Sequence, residues 1–183
     1  MTTYALSGVD IAAGTQATKL IAEVVRSTHG AAVLSGLGSF GGCFDLAQAG
    51  VVGNVLVAST DGVGTKTLVA TALGRYDTVG QDLVNHCVND ILVQGARPLF
   101  FMDYIAVSRL DPHQVAALVG GVAAACRAAG CALLGGETAE MPDVYQAGAF
   151  DLAGTIVGAV ERERLLPRDV VAGDAILALP SSG

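Results

Sequence analysis

Apolar residues in Ile11–Ser27 recur at helical spacing, with Leu20, Ile21, Val24 and Val25 on one side, and predict a first helix. Ala31–Gly42 is glycine-rich and reads as a loop. The apolar run Val55–Ala58 opens a strand over Val55–Thr60. Thr78–Gly95 returns to helical spacing and is closed by Gly95, with Pro98 just beyond. Leu99–Val107, LFFMDYIAV, is apolar on both faces apart from Asp103 and predicts a strand covered on both sides. Asp111–Ala129 is a second long helix, with Asp111 placed as N-cap and Pro112 at its first position. Cys131–Leu134 is a short strand running into GGETAEMP, and Phe150–Glu161 and Asp174–Leu179 are further strands. Strands and helices mix without a regular βαβ rhythm. The predicted class is α+β, with helices packed on one face of a mixed sheet.

Composition changes this picture in one respect. The chain is 52% hydrophobic and only 15% charged over 183 residues, against a usual charged share of about 25%. A monomer so short of polar surface predicts a large buried interface. The net charge of −7 comes without a basic stripe and excludes ordinary nucleic-acid binding. No apolar run reaches membrane-spanning length, and MTTYALSGVD lacks the pattern of a secretory signal. The four cysteines contain no C-x-x-C pair, so reduced thiols in a cytoplasmic protein are the expectation.

Candidate chemistry begins at Ser59–Thr67, STDGVGTKT. It resembles a strand entering a phosphate loop, but Thr65 separates Gly64 from Lys66, so the P-loop pattern fails. Lys66 is one of only two lysines in the chain, which argues against casual surface decoration. Asp61 would repel phosphate unless a metal stood between them. Upstream, Gly36–Gly41, GLGSFG, imitates a dinucleotide fingerprint. The following GCFDLAQAGVVGN is too short and too broken by glycines for the helix and strand that the fingerprint needs. A segment closing over phosphates, or a plain surface loop, remains.

Asp82, Asn85, His86, Asn89 and Asp90 form one polar stripe on the helix Thr78–Gly95. Ordinary solvated stripes carry Lys, Arg and Glu. This one carries short oxygen donors of the kind Mg²⁺ prefers, although Asp and Asn are poor helix formers. His86 alone reads as a structural histidine. In GGETAEMP two glycines allow close backbone approach to a ligand, and Glu137 and Glu140 project with Thr138 between them. Asp103, the one charge in an apolar strand, is either a ligand or a hydrogen-bonded anchor. The puzzle of Asp61 resolves if Mg²⁺ bridges it to phosphate, with Asp90 and Glu137 as further ligands. Lys66 then supplies positive charge, and the amides of Gly62–Thr65 complete an anion cradle. That is the equipment of ATP-dependent phosphoryl transfer.

STDGVGTK, GQDLVNHCVNDILVQGARPLFFMDY and GGETAEMP, in this order and spacing, resemble the phosphoribosylformylglycinamidine cyclo-ligases (aminoimidazole ribonucleotide synthetases) of purine biosynthesis. SGVDIAAG and GLGSFGG fit too. The resemblance implies ATP-dependent closure of formylglycinamidine ribonucleotide to aminoimidazole ribonucleotide through an iminophosphate. It implies a homodimer whose sheets join into a shared barrel, and Asp61, Asp90 and Glu137 approaching metal and phosphate. On this basis the ATP and phosphate candidates are Gly38, Ser39, Phe40, Gly41, Gly42, Asp61, Gly62, Gly64, Thr65, Lys66, Asp82, Asn89 and Thr138. Lys66 and Asp61 are the catalytic candidates, and Asp61, Asp90 and Glu137 the metal candidates. The family continues into a second domain. Residues 1–170 are therefore expected to be an ATP-binding and dimerisation domain, 171–183 the start of the next, and the chain alone inactive. A related ligase, formylglycinamidine ribonucleotide synthetase, and a non-catalytic dimerisation module are the alternatives.

Overall fold

The computed structural model describes residues 11–34, 36 and 44–180. Its elements run α1 (Ile11–Arg26), β1 (Val55–Gly62), α2 (Lys66–Leu73), α3 (Val79–Leu92), β2 (Arg97–Val107), α4 (Pro112–Ala129), β3 (Ala132–Glu140) and β4 (Phe150–Val160). The strands form one mixed sheet in the order β1-β4-β2-β3. β4 is antiparallel to both β1 and β2, while β2 and β3 are parallel and joined through α4. This is the expected α+β architecture. None of the described helices is long and apolar enough to cross a membrane.

The α4 signals act as the sequence predicts: Asp111 accepts a hydrogen bond from the His113 N–H at 2.9 Å, and Pro112 opens the helix. The core lies between α3, α4 and one face of the sheet. Leu83, Val84, Cys87 and Ile91 of α3 are fully buried, as are Phe101, Ile105, Leu152 and Ile156 of the strands. The small residues of β4 explain themselves here. A Cβ on Gly154 would strike the Phe101 ring and Leu83, and one on Gly158 would come within 2.6 Å of Ile91. The two glycines are the hollows into which α3 packs.

Four expectations change. The strand around Leu99–Val107 is covered on both faces only towards its ends, where Leu99 and Phe100 pack with Phe44 and Val51 and Ala106 is buried; in its middle Phe101 and Ile105 are buried on one face, while Met102 and Tyr104 on the other are each 38% exposed. Lys66 and Thr67, read as the end of the Ser59–Thr67 loop, open a helix that runs to Leu73 and is closed by Gly74 at φ 61°. The short strand ending at Leu134 runs on through GGETAE to Glu140, because β2 offers a parallel partner along that whole length. Asp174–Leu179 is not a strand. Ile176, Leu177 and Leu179 are almost fully exposed, and no sheet edge among the described residues takes them up.

Candidate functional site

β1 carries Asp61 to its end, and the chain then turns through buried Val63 and left-handed Gly64 (φ 70°) into α2. Asp61 is oriented locally, since its Oδ1 accepts the Gly62 N–H at 2.7 Å. Lys66 is the first residue of α2. Its Nζ lies 3.0 Å from Asp82 Oδ2 and 3.4 Å from His86 Nε2. His86 Nδ1 in turn lies 3.9 Å from Asp61 Oδ2. One turn further on, Asp90 Oδ2 accepts a 2.7 Å hydrogen bond from Ser59 Oγ.

Thus Asp82, His86 and Asp90, spaced four apart on α3, each meet a partner from the β1–α2 segment. Asn89 is exposed beside them. The opposite side of α3 is locked in the core, so the row stands on a rigid support. All four members of the Lys66–Asp82 and His86–Asp61 contacts keep over two-fifths of their side-chain surface in solvent. These pairs add little stability and stay available to a ligand. Three carboxylates face one ammonium here, a field that favours a cation. Burial, reinforced by the Asp61 and Asp90 carboxylates, pushes the Cys87 thiol beneath the row up to about 11, against a hydrogen bond from the Asp61 backbone. It therefore stays protonated and is no nucleophile.

The structure does not bring Glu137 to this place within one chain. Asp61, Gly154, Asp103 and Gly136 stand in register across the sheet, and the neighbouring row is Gly62, Ala153, Tyr104 and Glu137. Adjacent rows point to opposite faces. Glu137 is therefore on the open face, while Asp61 is on the helix face. β1 and β3 are also opposite edges of the sheet, three strand spacings or ~14 Å apart. Among the described residues no three Asp, Glu, His or Cys side chains gather as a metal site. Thr138 is on β3 with the same separation from Asp61. Glu140 serves the backbone, accepting the Leu110 N–H at 2.8 Å. Gly38, Ser39, Phe40, Gly41 and Gly42 lie outside the described residues.

Asp103 occupies the helix face between two glycines. A Cβ on Gly136 would collide with its carboxyl group and carbonyl oxygen. That explains why the strand needs glycine there. Burial pushes the Asp103 carboxyl from 3.8 up to about 7, opposed by a backbone hydrogen bond at the residue itself. The folded state then holds a proton that the unfolded chain releases near 3.8. Stability from this group is full at low pH and is lost as pH rises through about 7. Asp103→Asn should flatten that fall. At about pH 8 it should gain up to ~4 kcal/mol, less because solvent reaches part of the side chain. Urea melts at about pH 5 and about pH 8 check this; an equal slope in both proteins would show that Asp103 is ionised throughout.

The family model for AIR synthase related protein, N-terminal domain, matches residues 45–160. The chain belongs to this family. Thiamine-monophosphate kinase from Stenotrophomonas maltophilia K279a is similar to it with a TM-score of 0.66 at 22% identity, over 82% of this chain and 44% of that one. The hydrogenase maturation protein HypE in complex with ATP gives 0.58 at 19%, over 80% and 41%. HypE of E. coli gives 0.58 at 22%, over 78% and 43%. At such identities the likeness shows the fold. The chain spans less than half the length of these structures. The part matched by the AIR synthase related family runs through all four strands and contains the whole α3 row together with Asp61 and Lys66. Two features of the site were undervalued in the sequence. One is α2, which places Lys66. The other is His86, whose spacing of four from both Asp82 and Asp90 was its signal.

Proposed function

We propose that this AIR synthase related domain is the ATP-binding half of a cyclo-ligase that closes formylglycinamidine ribonucleotide to aminoimidazole ribonucleotide. The observation that carries the reading is the meeting of Asp61, Lys66 and the Asp82–His86–Asp90 row where β1 enters α2. ATP suits a site with one mobile ammonium, a glycine turn and several short carboxylates. The ATP complex of the similarly folded HypE supports the same choice. The motifs STDGVGTK and GGETAEMP favour the cyclo-ligase over a kinase.

In the reaction the γ-phosphoryl group passes to the formyl oxygen. The amidine nitrogen attacks the activated carbon, and inorganic phosphate leaves as the ring closes. Lys66 would neutralise phosphate charge, and the turn at Gly62–Thr65 would offer backbone N–H groups. Mg²⁺ fits this part of the chain, because it commonly takes one or two carboxylates with phosphate oxygens and water. Asp61 and Asp90 would hold it; when bound it supplies charge neutralisation along the phosphates. The test uses a version extended beyond Gly183, supplied with ATP and Mg²⁺. Aminoimidazole ribonucleotide should form from formylglycinamidine ribonucleotide, with matching ADP release. Phosphorylation of thiamine monophosphate in its place would overturn the assignment.

A homodimer belongs to the same proposal. Leu56, Met102 and Tyr104 leave the open face of the sheet partly apolar and uncovered in the single chain. The Glu137 assignment also needs a second copy, given its separation from Asp61. Sedimentation at micromolar concentration should report twice the chain mass, and Met102→Lys should reduce it to the monomer. Phe101 and Ile105 are unsuitable probes because they face the core. A clean monomer from the unaltered chain would end the dimer proposal.

A further inference from the structure

We propose that His86 is a positioning residue: its ring stands between Asp61 and Lys66 and, together with Asp82, fixes where the carboxylate and the ammonium meet a ligand. The inference rests on the ATP reading of this same site. A lysine ammonium has donors and no acceptor. The 3.4 Å contact between Lys66 Nζ and His86 Nε2 therefore needs Nε2 as the acceptor. The proton of a neutral ring is then on Nδ1, the nitrogen that faces Asp61 Oδ2 at 3.9 Å. At that distance the contact with Asp61 is one of charge, or is bridged by water.

Asp61 and Lys66 are joined by the short turn Gly62–Thr65, and lysine carries its charge on a flexible four-carbon stem. The ring stands between the two groups and gives each a fixed neighbour. Asp82, 3.0 Å from Lys66 Nζ, holds the ammonium from the other side. The platform is firm, because Leu83, Cys87 and Ile91 anchor α3 with no exposed surface. A histidine that merely filled space would have no reason to keep one tautomer or to affect nucleotide affinity.

The first test needs no nucleotide. Histidine ¹⁵N shifts are recorded on the 183-residue chain at about pH 8.5, well above the ordinary histidine value of ~6.5, with His86→Asn to assign the signal. His86 should show the Nδ1–H tautomer. Lys66→Met should return it to the Nε2–H form that free imidazole favours. An Nε2–H ring in the unaltered chain overturns the proposal. The second test titrates ATP with Mg²⁺ into the unaltered chain and His86→Ala. The variant should bind about tenfold more weakly with little change in melting temperature, and added imidazole should restore part of the loss. Equal affinity in the two proteins overturns the proposal. If the unaltered chain binds no ATP, the ATP reading fails, and with it the ligand-binding role of His86; the tautomer result still decides whether the ring bridges the two charges.

Discussion

Gly121→Val should destabilise the domain by about 3 kcal/mol or more, while Gly120→Ala one residue earlier should stabilise it by up to ~1 kcal/mol. Both glycines sit inside α4. At Gly121 a Cβ would collide with the Asp77 carbonyl oxygen and reach the Gly80 Cα at 3.4 Å. Gly80 repeats the constraint from α3, where a Cβ would lie 2.7 Å from the Val122 nitrogen. The obstacles are backbone atoms, so no side-chain rotation can relieve them. At Gly120 nothing lies within 4 Å, and only the helix propensity of alanine acts. Guanidinium melts of the two variants and the parent check the opposite signs. Equal behaviour would mean that the two helices do not meet through their backbones. The contact matters to the site because it fixes α3, and α3 carries Asp82, His86 and Asp90.

The long elements could be read because their signals are local. α3 announced itself by spacing, and α4 by Asp111 and Pro112 at its start. The polar row on α3 followed from helical geometry alone. What failed to show was set by pairing between distant segments. Whether Glu137 shares a face with Asp61 depends on the register of β3 against β2 and of β1 against β4, and neighbouring residues on a strand do not encode that. The same holds for GGETAE, which looks like a loop until Asp103 is seen to need the space over Gly136. Asp174–Leu179 erred in the other direction: an apolar alternation makes a strand only where an edge is free to receive it. α2 was hidden by its neighbour, since the glycines and threonines of STDGVGT drew attention to the turn and away from KTLVATAL behind it.

Asp90→Asn should lower the affinity for ATP in Mg²⁺ by on the order of 100-fold while the melting temperature moves little. The variant keeps the size of the side chain and an oxygen that can still accept the 2.7 Å hydrogen bond from Ser59. Asp90 is exposed, so its charge contributes little to folding. The charge matters only if a cation is held there. Binding measured with the metal chelated separates that role from simple shape. Without Mg²⁺ the carboxylate has nothing to offer a phosphate except repulsion, so the asparagine variant should then bind ATP as well as the parent, or better. The order of the two proteins should thus reverse between Mg²⁺ and chelator. Lys66→Met should weaken binding in both conditions, because an ammonium attracts phosphate with or without metal. Calorimetric titration of the three proteins in each buffer makes the comparison. Unchanged affinity of Asp90→Asn in Mg²⁺ would remove Asp90 from the site. An equal loss in both buffers would show that Asp90 acts through the geometry of β1 and not through a bound cation.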